Sequence, residues 1–236
     1  MIRFLHDLLY PRGAACLYCR HPRKAGDDFC LCPDCLELLE NLRIGDDACP
    51  KCMSPLSDNG ACAFCKQKAL GRIQTGFAPF RYQGIARHLI LLLKFHYTDE
   101  AAAALAESML PLIPPGAYDA LVPVPLHHRK QRHRGANQAE TLCRLIAPKA
   151  GLPVLFLLTR VRSTRPQKNL TPFQRQKNVR GAFTASRDVH GLKILLVDDI
   201  RTTGATAREC AQALLHAGAK SVSLLTAAIA DKNSKE

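Results

Sequence analysis

Four Cys-x-x-Cys pairs fall within fifty residues near the start of the chain: Cys16-x-x-Cys19, Cys32-x-x-Cys35, Cys49-x-x-Cys52 and Cys62-x-x-Cys65. A turn of this kind sets two sulfurs at neighbouring corners of a tetrahedron and points backbone amides at them. Two such turns complete a four-sulfur zinc site. The eight cysteines therefore match up to two structural zincs, most simply Cys16, Cys19, Cys32 and Cys35 for one and Cys49, Cys52, Cys62 and Cys65 for the other. An interleaved pairing, first turn with third and second with fourth, is also geometrically possible. Cys30 lies outside the pairs, either a stand-in for Cys32 or a spare thiol. Buried free thiols or a redox Cys-x-x-Cys would not explain four pairs in so short a stretch. A closed four-sulfur shell has no open coordination position, so its role is folding and presentation rather than catalysis.

Nine of the eleven cysteines lie between Cys16 and Cys65, whereas a disulfide-stapled secreted domain would spread them through its core. The apolar stretch at the N-terminus is interrupted by His6 and Asp7 and stopped by Pro11, too short for the core of an export signal. The longest purely aliphatic run, Leu89 to Leu93, is far below the roughly 18–20 residues a membrane span requires. No membrane insertion is expected, and the expected location is the reducing cytoplasm, where clustered thiols bind metal.

Composition divides the chain into a cysteine-rich domain over residues 1–70 and an α/β domain over residues 71–236. In the second, 77–82 reads as a strand, 85–95 and 100–110 as helices, 121–125 as a short extended segment and 137–147 as a helix. Residues 154–158 and 194–197 read as apolar strands, 205–217 as an Ala-rich helix ended by Gly218, and 221–227 as a last strand. Strands alternating with helices predict a largely parallel sheet flanked by helices.

The stretch Lys193-Ile-Leu-Leu-Val-Asp198-Asp199-Ile-Arg201-Thr202-Thr203-Gly204-Ala205-Thr206 carries the most chemistry. A buried strand delivers two adjacent acids at its carboxyl end, where open α/β sheets bind ligands. The loop that follows opens a helix. Its backbone N–H groups, the Thr hydroxyls and the helix dipole suit a phosphate, and Gly204 lets the backbone approach closely. Carboxylates one step upstream suit the vicinal hydroxyls of a ribose, directly or through a divalent ion. Helix capping alone would account for one Thr, but not for two acids beside a Thr-Thr-Gly-x-Thr loop.

On these residues the chain resembles the type I phosphoribosyltransferases, whose motif for phosphoribosyl pyrophosphate (PRPP) is a four-aliphatic strand, an acidic pair and a T-T-G-x-T loop. The resemblance implies a catalytic pair, Asp198 and Asp199, on the ribose hydroxyls, with Arg201, Thr202, Thr203, Gly204, Ala205 and Thr206 around the 5′-phosphate and magnesium entering with PRPP. In that family the loop after an early strand contacts pyrophosphate. Leu121 to Leu126, with Val124 and Pro125, is placed to match it, and Lys94 and Arg129 are further phosphate candidates. A Lys beside apolar residues at a helix end also commonly snorkels to solvent. Leu93-Lys94-Phe95, Pro123-Val124-Pro125-Leu126, Arg134-Gly135-x-Asn137-Gln138 and Gln167-x-x-Leu170 with Arg175 and Asn178 follow the cysteine pairs in order. That series is similar to the ComF/GntX branch, linked to competence and to the use of external DNA. One departure is Ala136, where the branch usually has Phe; it bears on the packing of that loop.

The formal charge of +13 is not evenly spread. Between Pro123 and Gly181 stand thirteen basic residues and one acid, Glu140. Solvated surfaces usually mix signs, so single-sign density beside a phosphate site points to a polyanion. Arg129, Lys130, Arg132, Arg134, Arg165, Lys168, Arg175 and Lys177 are the candidate nucleic-acid contacts. With only Phe156 and Phe173 interleaved, binding would rest on backbone electrostatics, steep in salt and poor in sequence preference.

Three functions fit. The resemblance implies a ComF-like protein that binds PRPP or a related phosphoribosyl ligand and single-stranded DNA, with DNA-uptake machinery as possible protein partners. A second is a working phosphoribosyltransferase on an unknown acceptor, although no nucleobase hood is recognisable. A third is a zinc-dependent nucleic-acid adaptor with a vestigial pocket.

Overall fold

The computed structural model describes residues 15–23, 30–95, 98–126, 136–162, 174 and 179–230. Its centre is a parallel sheet. The strand β6 (Lys193–Arg201) lies between β3 (Ala120–Pro123) and β7 (Ser221–Ile229), and the two short strands β1 (Gly76–Phe77) and β2 (Phe80–Arg81) both run along the far side of β7. Leu121 also bridges in parallel to Val154, so residues near 154 line the outer edge of β3. All nine residues of β7 are buried, as expected of a parallel strand covered on both faces. The antiparallel pair β4 (Leu158–Arg160) and β5 (Phe183–Ala185) forms a small separate sheet.

Helices cover both faces. Alternation along β6 sends Leu195 and Val197 to one face and Ile194 and Leu196 to the other. The first face is covered by α3 (Gly84–Phe95), α4 (Asp99–Met109) and α5 (Gln138–Ala150), which supply Leu89, Leu105, Met109 and Leu142. The second is covered by α6 (Ala205–His216) and the β4–β5 pair, through Cys210, Leu214 and Val189 near its base. The expected α/β architecture behind a cysteine-rich block is therefore the one observed.

Details of several elements differ. The strand expected over 77–82 is split at Ala78-Pro79, because Pro79 has no N–H to give the ladder. The expected strand over 154–158 is reduced to the bridge at Val154, and the ladder with β5 begins only at Leu158. Helix α5 runs on through Pro148 to Ala150 and ends on Gly151 in the left-handed conformation (φ 64°). Gly218 (φ 106°) follows the last turn of α6 as expected. Among its described residues the cysteine block holds two short helices, α1 (Pro33–Glu40) and α2 (Ala63–Lys66), each starting inside a Cys-x-x-Cys pair.

The cysteine block is not set apart from the sheet. Cys16, Leu31, Cys35 and Leu39 pack into the apolar cluster of the first face with Ile85 and Leu89, while Cys49, Cys52 and Leu70 pack into that of the second. Among the described residues no helix is long and apolar enough to cross a membrane.

Candidate functional site

The cysteines gather into two groups, Cys16/Cys19/Cys32/Cys35 and Cys49/Cys52/Cys62/Cys65, with the four sulfurs of each within 4.8 Å of one another. The pairing is sequential, not interleaved. Separations of 3.6 Å for Cys19–Cys32 and of 3.8, 3.5 and 3.5 Å for Cys49–Cys65, Cys52–Cys62 and Cys52–Cys65 match the tetrahedron edge of about 3.8 Å that Zn–S bonds of about 2.3 Å produce. These donor sets fit zinc. Cys30 is in neither group; it is buried, and burial pushes its thiol up to about 12.

The two groups repeat one plan that sequence inspection had not isolated. Ala15-Cys16-x-x-Cys19-x-x-Pro22 and Ala48-Cys49-x-x-Cys52-x-x-Pro55 are the same pattern. Each closes with an antiparallel bridge, Ala15 to Pro22 and Ala48 to Pro55, and each places the residue after its second Cys at positive φ, Arg20 (66°) and Met53 (55°). In each group the second pair sits at a helix start, with Cys32 and Cys62 as N-caps. The Cys65 N–H donates to Cys62 Sγ at 3.4 Å. Burial raises the leading thiol of each group, but amide donors outweigh it. Those of Cys32, Cys19 and Tyr18 bring Cys16 down to about 6, and those of Lys51 and Cys52 lower Cys49. Cys35 and Cys65, buried against neighbouring sulfurs, shift upward. The leading thiol of each group thus lies below its ordinary value, and a bound cation would supply the charge that ionises the rest.

Asp198 and Asp199 are the sixth and seventh residues of β6, which continues past the expected four-residue strand to Arg201. Successive residues face opposite sides, and cations flank the pair. Lys94, from the last turn of α3, places Nζ 2.9 Å from Asp199 Oδ2, with both side chains largely buried. It does not snorkel. Burial works against its ammonium, and the Asp199 carboxylate outweighs that and holds Lys94 above its ordinary value. Burial and then the charge of Asp199 raise Asp198 to about 7, against the pull of the Asp199 N–H at 2.9 Å and of the Lys94 and Arg160 charges. Arg160 is itself buried at the end of β4, its guanidinium 5.3 Å from the Phe183 ring centroid. Two carboxyls alone do not make a metal site. Magnesium at such a place is held with the help of ligand phosphate oxygens.

The loop 202–204 leads into α6. Gly204 is the N-cap, left-handed at φ 72°, and caps nothing with a side chain; Thr203 Oγ1 accepts from the Ala205 N–H at a long 3.4 Å. A twelve-residue helix whose first turn has no acid, and whose start carries only this long side-chain contact, leaves N–H groups that suit an anion. The Arg201 side chain, expected among the phosphate contacts, turns elsewhere. It is 3% exposed, Nη2 donates to Cys52 O (3.0 Å) and to Ser54 Oγ (2.8 Å), and the guanidinium lies 4.0 Å from the Phe64 ring centroid.

Val124 and Pro125 sit at the end of β3, but their amides are not open to pyrophosphate. The Val124 N–H donates to Val197 O at 2.9 Å, its carbonyl accepts from Asn137 Nδ2 at 3.1 Å, and Pro125 has no N–H. Asn137 also caps α5, accepting from the Ala139 N–H, so this one side chain ties the start of α5 to the end of β3.

The eight nominated nucleic-acid contacts, Arg129, Lys130, Arg132, Arg134, Arg165, Lys168, Arg175 and Lys177, lie outside the described residues. Among the described members of the basic segment, Arg144 pairs with Glu140, Lys149 pairs with Glu107, and Arg162 donates to the Arg180 carbonyl.

Comparison with known proteins agrees with this geometry. The family described as phosphoribosyl transferase domain matches residues 136–236. The DNA utilization protein YhgH of Salmonella typhimurium is 33% identical over 216 residues, covering 88% of this chain and 93% of that one. Competence protein ComFC of Streptococcus pneumoniae is 31% identical over 198 residues, covering 83% and 86%. Among solved structures, the orotate phosphoribosyltransferase of Mycobacterium tuberculosis aligns over 82% of this chain and 81% of that one at 15% identity and TM-score 0.36, too slight a likeness to argue from.

Proposed function

Since the chain belongs to the ComF/GntX family, we propose that it binds PRPP or a related phosphoribosyl ligand at Asp198–Thr206 and single-stranded DNA on its basic segment, in the uptake or utilisation of external DNA. One observation carries the first half. Two acids at the end of β6, flanked by Lys94, run into a helix start at Gly204 whose first turn carries no acid. Asp198 and Asp199 take the ribose hydroxyls, residues 202–206 take the 5′-phosphate, and Lys94 balances the charge of the pair between ligands. Magnesium, bound together with the ligand, neutralises pyrophosphate charge at this end of the sheet. In this reading residues 1–70 hold two zincs, residues 71–236 hold the ligand, and the protein works in the reducing cytoplasm.

The DNA half rests on charge: thirteen basic residues against one acid between Pro123 and Gly181, and relatives whose names speak of DNA utilisation and competence. Titrating PRPP with magnesium, with and without single-stranded DNA, tests both halves, because any coupling must be reciprocal. Both ligands are expected to bind. DNA binding should weaken steeply with salt and fall when Arg132, Arg134 and Arg175 are neutralised. Absence of PRPP binding overturns the first half, and DNA binding unchanged in the triple variant overturns the second.

A further inference from the structure

We propose that the metal held by Cys49, Cys52, Cys62 and Cys65 positions the phosphate loop, so that this ion and the phosphoribosyl ligand strengthen each other's binding through Arg201 and Phe64. The inference rests on the PRPP reading above and adds a regulator to the same site. Both ligand turns of this cluster converge on the loop. From the Cys49–Cys52 turn, the carbonyl of the ligand Cys52 and the hydroxyl of Ser54 accept hydrogen bonds from Arg201, the last residue of β6. Inside the Cys62–Cys65 turn, Phe64 stacks on that guanidinium.

Two residues beyond Arg201, Thr203 is followed by Gly204, whose backbone lies against the same turn. A Cβ there would meet Phe64 Cζ at 3.1 Å and the Ala69 carbonyl oxygen at 3.2 Å. Past the cluster, Gly71 (φ 58°) approaches Arg208 on the first turn of α6, where a Cβ would lie 2.7 Å from Cγ. The next residues then join the sheet: the Gln74 N–H donates to Val222 O, the Leu224 N–H to Thr75 O, and the Gly76 N–H to Lys51 O inside the metal knuckle.

The loop that would close on a 5′-phosphate thus uses the cluster as its wall. Without an ion, four thiols within 4.8 Å of one another have no reason to hold the two turns together, and Arg201 and Phe64 lose their fixed positions. Among the described residues Cys16/Cys19/Cys32/Cys35 has no such arrangement; its contacts run to α3 through His88.

The test uses full-length protein loaded with two zincs and a zinc-selective chromogenic chelator. PRPP with magnesium should slow release of one zinc by about tenfold and leave the other unchanged. Arg201→Lys keeps the charge but loses the planar fork and the stacking. With both zincs still bound, it should lose the ligand-dependent slowing and bind PRPP about tenfold more weakly. Phe64→Leu serves as a second uncoupling variant should Arg201→Lys fold poorly. If PRPP binds by calorimetry yet slows neither zinc, or both alike, the coupling is overturned and the PRPP reading stands. If PRPP does not bind the two-zinc protein at all, both fall together.

Discussion

Cys16/Cys19/Cys32/Cys35 and Cys49/Cys52/Cys62/Cys65 share the knuckle Ala-Cys-x-x-Cys-x-x-Pro, the positive-φ residue after its second Cys and the second pair at a helix start, but they are seated on opposite faces of the sheet. The first rests on α3, with the Leu17 carbonyl 3.0 Å from His88 Nε2 and the Tyr18 ring edge-on to His88 at 5.4 Å. The second rests on the end of β6 and the start of α6 through Arg201, Phe64 and Gly204. In the proposed reading the same module is scaffold at one place and part of a ligand site at the other, and its neighbours decide which.

The largest contrast should come from losing one ligand in each. Cys52→Ser and Cys35→Ser should each lower metal content by one ion per chain. PRPP affinity should fall about tenfold in Cys52→Ser and stay within about twofold in Cys35→Ser. Metal analysis with calorimetry on both variants checks this, and equal losses of affinity would erase the distinction between the clusters.

Aromatic truncations come next. Phe64→Ala removes the ring stacked on a buried guanidinium and should cost about 2 kcal/mol in chemical denaturation of the zinc-loaded protein. Tyr18→Ala, at a residue 41% exposed, should cost about 0.5 kcal/mol. The two helix-start glycines sharpen the comparison further. At Gly84 (φ 48°) an added Cβ meets, among the described residues, only Leu42 Cδ1 at 3.4 Å, so Gly84→Ala should cost about 1 kcal/mol from backbone strain. Gly204→Ala adds a clash with the Ala69 backbone and should cost about 2 kcal/mol, and of the two it alone should weaken PRPP binding.

The smallest effect is one of pH, and it separates the acid pair from both clusters. Asp198 is raised to about 7 by burial and by Asp199. A raised carboxyl stabilises the unliganded fold below the ordinary carboxylate range and withdraws that contribution as pH rises through about 7. A ligand that needs the ionised carboxylate behaves oppositely. PRPP binding should tighten about fivefold from pH 6 to pH 7 and level off near pH 8, with protons released where the carboxyl is still protonated. Calorimetry in two buffers of different ionisation enthalpy measures that release, and none at pH 6 would show Asp198 already ionised.

The parallel sheet, the adjacent acids and the two four-cysteine clusters were legible in the sequence because each has a local signature: an aliphatic run, neighbouring carboxyls, regular spacing. What escaped depended on contacts between distant segments. Arg201 lies beside the Thr-Thr-Gly loop and reads as a phosphate ligand, yet residues 147 and 149 positions away claim its side chain. Val124 and Pro125 match a motif by position, but the Val124 amide is already spent in the ladder with Val197. The β4–β5 pair was missed because its strands are three residues each, too short for alternation to show. Lys94 was open between solvent and site until the fold brought α3 to the end of β6.

A magnesium-dependent PRPP titration of the two-zinc protein beside the Asp198→Asn/Asp199→Asn double variant, with matched circular dichroism and zinc content, decides whether Asp198 and Asp199 hold a phosphoribosyl ligand. Saturable one-site binding is expected in the parent and none in the double variant; binding in the double variant equal to that of the parent would refute this role of the pair.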